Sequence, residues 1–198
     1  MPGLFVTFEG IDRSGKTTQA RMLAERLGAR ALAVREPGGT ELGERLRELL
    51  KGTVAMTAHG EALLFAAARA QLVAEVIRPA LEAGSVVVSD RFVDSSLAYQ
   101  GAARGLGVDA VARVNDWATG SLRPDLTFLL ELETGAAASR AGEADRFEDE
   151  GAALQAQVAR AYDELARAEP SRWRRVDAAR PPEEVHEEVA AIVEGAAG

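Results

Sequence analysis

Eight consecutive residues near the start of the chain, Gly10-Ile11-Asp12-Arg13-Ser14-Gly15-Lys16-Thr17, satisfy every fixed position of the pattern G-x-x-x-x-G-K-[ST]. The chemistry open to such a string is the holding of a polyphosphate. Its glycines let the backbone curl so that successive N–H groups point at one anion. Lys16 brings a point charge to the β- and γ-phosphates, and the Thr17 hydroxyl can ligate Mg²⁺. Lys16 and Lys51 are the only lysines among 23 basic residues, yet one of them stands where the pattern demands it.

A second set of candidates lies further along. Asp90 closes an apolar run, where a carboxylate at the end of a buried strand can join the shell of a metal ion. Arg35, Arg47, Arg69 and Arg91 come from four different segments. Their planar forks match phosphate oxygens, so together they could hold a second phosphate opposite the first.

These residues need a frame. Leu4–Phe8 is a nearly continuous apolar run, as expected of a strand buried on both faces, and it leads straight into the glycine loop. Ala20, Leu23, Ala24 and Leu27 follow at helical spacing, closed by Gly28. The pattern then predicts strands over 31–34, 85–89, 126–130 and 173–176. It predicts helices around 42–50, 58–83, 95–100, 109–118, 150–168 and 182–193. Residues 135–145 are small and polar without periodicity, which predicts a mobile surface segment. Strands alternating with helices give an α/β chain with a parallel sheet of about five strands and helices on both faces, the three-layer P-loop NTPase arrangement. Nothing in the chain marks a repeat or linker, so residues 1–198 read as one domain with a short lid near 135–148.

Composition narrows the function. The net charge of −8, with both signs interspersed, speaks against nucleic acid or an anionic membrane as the partner. The absence of cysteine removes disulfides, thiolate nucleophiles and cysteine-ligated zinc. No apolar run reaches the length of a membrane span and no leader precedes the first strand, so a cytoplasmic protein is expected. The single asparagine, Asn115, is followed by Asp116, so the Asn-Lys-x-Asp motif of guanine recognition is missing and a regulatory GTPase is disfavoured. A kinase of small phosphorylated molecules and a nucleotide-binding regulator without turnover both remain open on these residues.

Five blocks, in order, settle on a family. They are Phe8-Glu9-Gly10-Ile11-Asp12-Arg13-Ser14-Gly15-Lys16-Thr17-Thr18-Gln19, Arg35-Glu36-Pro37-Gly38-Gly39-Thr40 and Leu64-Phe65-Ala66-Ala67-Ala68-Arg69. They continue with the stretch from Ser89 to Gly101, which includes Asp90-Arg91-Phe92 and Ser95-Ser96-Leu97-Ala98-Tyr99-Gln100, and end with Asp145-Arg146-Phe147-Glu148. With these the chain resembles the thymidylate kinases from its first strand to its last helix. The resemblance implies transfer of a phosphoryl group from MgATP to dTMP, giving ADP and dTDP on the way to dTTP, in a homodimer. Another pyrimidine nucleoside-monophosphate kinase is the nearest alternative.

The resemblance also implies roles. Gly10 to Thr17, with Arg140, would hold ATP, and Thr17 and Asp90 would hold Mg²⁺. Phe65 would stack on the thymine ring, Arg69 would meet its edge, and Ser96 and Gln100 would read its N3 region. Tyr99 would crowd the sugar 2′ position and Asp12 would approach the 3′-hydroxyl. Arg35, Arg47 and Arg91 would surround the acceptor phosphate, with Glu36 nearby. The chain departs from the common bacterial pattern at Arg13, where a small residue is usual, in a shorter and less basic lid, and at Phe92, where tyrosine is usual. Arg13 is therefore expected to stabilise the transferring phosphoryl group, with Lys16, Asp90, Arg91, Arg146 and Arg140 in support.

Overall fold

The computed structural model describes residues 3–140 and 151–197. Five strands, β1 (Leu4–Glu9), β2 (Ala31–Arg35), β3 (Val86–Asp90), β4 (Leu126–Glu131) and β5 (Trp173–Asp177), form one parallel sheet in the order β2-β3-β1-β4-β5. Each strand falls where the apolar runs predict it. The three central strands are buried almost throughout, while β2 lies at an edge and is half covered. Phe8 pairs in register with Asp90, so the carboxyl ends of β1 and β3 lie side by side. Open parallel sheets bind their ligands at such an end.

Helices cover both faces. The helices α1 (Lys16–Leu27) and α9 (Pro182–Ala197) pack on one, where Val6, Phe8, Leu23, Phe128, Val189 and Val193 form a continuous core. On the other, Phe5, Leu72, Ile77, Val87 and Phe92 form a second cluster. Between β1 and β2 the chain also makes one short 3-10 turn, and α2 (Glu41–Lys51) follows β2.

The helix predicted over 58–83 runs as α3 (Ala58–Leu72), a wider π-helical stretch Val73–Ile77, and α4 (Arg78–Glu82). Pro79 explains the widening: it supplies no N–H and its ring crowds the carbonyl one turn back, which an added residue in the turn relieves. The segment predicted over 95–100 begins as α5 (Val93–Ser96) and continues as a second π-helical stretch, Leu97–Ala103. Then come α6 (Val108–Thr119), α7 (Thr134–Ser139) and α8 (Gly151–Ala168).

One expectation needs correction. Residues 135–139 belong to α7, and Ala137 is buried against the cluster formed by Ile11, Leu129 and Tyr162. The run of alanines has high helix propensity despite its lack of periodicity, and a single buried residue suffices to dock so short a helix. The rest of the expected lid, from 141, lies outside the described residues. Among the described residues no helix is long and apolar enough to cross a membrane.

Candidate active site

The glycine loop connects β1 to α1 at the centre of the sheet. Gly10 has φ 143°, and a Cβ there would lie 2.7 Å from the Leu130 carbonyl oxygen, so only glycine fits. Gly15, at φ 102°, caps α1 in a left-handed conformation and turns the helix N-terminus towards the loop. Ile11 and Ser14 are buried beneath the turn. Lys16 folds over it, donating from Nζ to the carbonyls of Gly10 (3.1 Å) and Ile11 (2.6 Å). Burial and the neighbouring Arg91 pull the Lys16 ammonium down to about 8, although Asp12, Asp90 and Glu9 act in the opposite sense.

A cleft of about 350 Å³ opens beside the loop. All ten residues expected around an acceptor nucleotide line it: Asp12, Arg35, Glu36, Arg47, Phe65, Arg69, Arg91, Ser96, Tyr99 and Gln100. Arg13, Lys16, Thr17 and Asp90 line its other end. Arg13 and Arg91 both hold left-handed backbone conformations, at φ 62° and 74°, which non-glycine residues rarely adopt. Such strain is concentrated where side-chain direction matters.

Arg91 is tied down from several sides. Its Nη2 donates to Asp12 in a short contact, and its Nη1 donates to Ser95 Oγ at 3.1 Å. Its guanidinium also lies 5.2 Å from the centre of the Tyr99 ring. Burial alone would push the Asp12 carboxyl upward, but Arg91 and Lys16 more than offset it and hold the group below the usual carboxylate value. Gln155 of α8 clamps Asp12 a second time: its Oε1 accepts from the Asp12 N–H at 3.1 Å and its Nε2 donates to Oδ2 at 2.7 Å.

Thr17 and Asp90 meet directly, the hydroxyl donating to Asp90 Oδ2 at 2.5 Å. The other carboxylate oxygen, Asp90 Oδ1, is buried and has no hydrogen-bond partner. A buried anionic oxygen next to a hydroxyl is a donor set that fits a hard divalent cation. Among the described residues no group of three or more acidic, histidine or cysteine side chains forms a metal cage.

Arg69 lines the cleft from a buried position. It is 1% exposed, and its N–H groups point at protein acceptors: Glu36 from Nε (2.7 Å) and Nη2 (2.6 Å), the Phe92 carbonyl (3.1 Å), Ser96 Oγ (3.0 Å), and Asn115 Oδ1 in a short contact. All five of its donors are so directed, which ties Ser96 and Glu36 to one guanidinium group at the cleft wall. Burial outweighs the Arg69 pairing at Glu36 and leaves its carboxyl raised. Arg35 forks onto Glu44 at 2.9 and 3.2 Å, and Arg47 donates to the Pro37 carbonyl at 2.8 Å. Phe65 is half-buried and faces the cleft, which sets it apart from a core side chain.

Arg140 lies on the far side of the loop, donating to the carbonyls of Arg13 (3.3 Å), Ser14 (3.4 Å) and Ala178 (2.6 Å). Arg146 is outside the described residues. Several residues that the sequence reading passed over also take part. Lys51 and Ser95 line the cleft. Glu9, at the end of β1, is buried and accepts from the Phe92 N–H (2.7 Å), Ser95 Oγ (2.6 Å) and Tyr162 OH (2.9 Å). Burial first, and then the Asp94 carboxylate, push Glu9 up to about 7. Its signal was available: a carboxylate closing an otherwise buried apolar strand must find partners.

Comparison with known proteins agrees with this geometry. The sequence model of the family described as thymidylate kinase matches residues 8–189. A thymidylate kinase of Desulforudis audaxviator is 52% identical over 188 residues, covering 91% of this chain and 85% of that protein. A thymidylate kinase of Symbiobacterium thermophilum is 48% identical, covering 96% and 92%. The crystal structure of thymidylate kinase from Ehrlichia chaffeensis superposes with a TM-score of 0.81 at 31% identity, covering 98% of this chain and 99% of that one. With this loop, this cleft and these relatives, the chain belongs to the thymidylate kinase family.

Proposed function

We propose that the protein transfers the γ-phosphoryl group of MgATP to dTMP, forming ADP and dTDP. The observation that carries this reading is the single cleft that joins the phosphate loop to the pocket bounded by Phe65, Ser96, Tyr99 and Gln100. The acceptor oxygen of a nucleoside monophosphate is already anionic near neutral pH, so a strong general base is not required. Catalysis then consists of holding two polyanions in line against their repulsion.

The loop N–H groups and Lys16 bind the donor phosphates, and a polyphosphate there favours the charged lysine. Arg35, Arg47 and Arg91 receive the acceptor phosphate, Asp12 and Tyr99 face its sugar, and Phe65, Ser96 and Gln100 face its base. Arg69 anchors this pocket from behind. Arg13 meets the charge that develops on the transferring group, with Arg140 bracing the loop and Arg146 supporting from the lid. Thr17 and Asp90 would hold Mg²⁺, which when bound offsets the negative charge of the β- and γ-phosphates.

The assembly we propose is a cytoplasmic homodimer. The helices α3 and α6 pack side by side, and each leaves a large apolar side chain in solvent, Leu63 (58% exposed) and Trp117 (89% exposed). A second copy of the same face would cover them.

The reaction is tested with ATP labelled at the γ-phosphate. Label recovered in dTDP supports the transfer. Label recovered in inorganic phosphate at the same rate with and without dTMP would contradict it.

A further inference from the structure

Glu61 plays no part in the roles assigned above, yet it is among the most buried carboxylates of the chain, 2% exposed on α3. It shares one helix face with Phe65 and Arg69, at spacings of four residues. Its partners are specific. Gln100 Nε2 donates to Glu61 Oε1 at 2.8 Å. Arg104 donates to the same carboxylate, from Nε at 3.3 Å and from Nη2 to Oε2 at 3.2 Å.

A carboxylate paired with arginine accepts hydrogen bonds and donates none. It therefore fixes which end of the Gln100 amide it meets: the NH₂ group. The amide nitrogen is thereby turned to Glu61, in a residue that lines the cleft. Ser96 complements it, because its oxygen already accepts from Arg69 and its proton is available to a base carbonyl.

We infer that Glu61 is a positioning residue for base selection: by engaging the Gln100 NH₂ group it leaves the Gln100 oxygen as the acceptor offered to the bound base. The ligand class that satisfies an acceptor at this place is a pyrimidine carrying an imide N3–H, as in thymine and uracil. A 4-amino pyrimidine such as cytosine presents a lone pair at N3, and two acceptors then face each other in a buried site. The inference deepens the proposed function and rests on it.

The test is Glu61→Gln, an isosteric change that lets either end of the Gln100 amide turn to the base. The readout is kcat/KM for dTMP and for dCMP, with near-UV circular dichroism as the check on folding. We expect KM for dTMP to rise about tenfold with kcat within about threefold, and the dCMP-to-dTMP ratio of kcat/KM to rise at least about tenfold. In a Gln100→Ala background, Glu61→Gln should leave that ratio unchanged, since the residue through which it acts is gone.

A ratio within about twofold of wild type in folded Glu61→Gln would overturn the inference, as would an undiminished effect of Glu61→Gln on top of Gln100→Ala. If Glu61→Gln does not fold, Glu61→Asp, which withdraws the carboxylate by one methylene, carries the same prediction and the same refutation. A wild-type enzyme that phosphorylates dTMP but is indifferent to Glu61 sinks this inference alone. A wild-type enzyme inert towards both nucleotides sinks the proposed function with it.

Discussion

Arg13 and Arg140 hold each other's main chain: Arg13 Nη1 donates to the Arg140 carbonyl at 3.0 Å, and Arg140 Nη1 donates to the Arg13 carbonyl at 3.3 Å. Of the two, Arg13 lines the cleft, whereas the Arg140 guanidinium reaches on to the Ala178 carbonyl.

That asymmetry separates their variants. Arg13→Gly relieves a left-handed backbone and removes the guanidinium proposed to meet the transferring group. It should lower kcat by about a hundredfold or more, with small changes in both KM values. Arg140→Ala loosens the loop and should act mainly on the KM for ATP, by roughly tenfold. Steady-state kinetics of the two variants check this. A loss below tenfold in Arg13→Gly beside a crippled Arg140→Ala would reverse the assignment.

The unpartnered Asp90 Oδ1 makes a different prediction. Asp90→Asn keeps the shape but removes the anion, so the half-saturating Mg²⁺ concentration should rise about tenfold or more. Initial rates at fixed ATP and rising Mg²⁺ measure it. An unchanged Mg²⁺ curve would place the metal elsewhere.

Glu9 supplies a dependence on pH. Its carboxyl is raised from 4.5 to about 7, so between these values the folded protein binds more protons than the unfolded chain. The contribution of this group to stability is fully present below pH 4.5, falls as pH rises from there, and is lost through pH 7. Glu9→Gln cannot ionise and escapes that loss. The melting temperature of Glu9→Gln minus that of wild type should therefore grow from pH 5 to pH 8. A difference that stays flat or shrinks over that range would contradict the buried, raised carboxyl.

The exposed side chains of α3 and α6 predict the assembly. Wild type should sediment at twice the chain mass, and Leu63→Glu with Trp117→Glu should sediment as a monomer that keeps its far-UV spectrum. A wild-type monomer would refute the dimer without touching the chemistry.

Much of this was legible in the sequence because the signals were local. Leu4–Phe8 followed by the glycine string placed a strand and loop with little dependence on the rest of the chain. The run ending at Asp90 was equally plain, whereas its register with Phe8 is visible only in the folded sheet. What escaped depended on contacts between distant segments. Nothing in the sequence shows that Asn115, Glu36 and Ser96 converge on Arg69 from three other elements. Gln155 gives no hint of Asp12, since 143 residues separate them. Glu61 looked like one polar residue on an alanine-rich helix, and only its four-residue spacing from Phe65 and Arg69 marked the face it shares. The short helix α7 was missed because propensity, with almost no amphipathic pattern, is what forms it.

Direct transfer requires that one cleft join donor and acceptor nucleotides. Its most direct test is ADP release in the presence of Mg²⁺ and ATP, measured against dTMP, dUMP, ribo-TMP, dCMP, AMP and no acceptor. Release should depend on dTMP, with ribo-TMP, dCMP and AMP near background. Release at one rate whatever the acceptor, after contaminating ATPase has been excluded, would leave a nucleotide-binding loop and contradict the kinase.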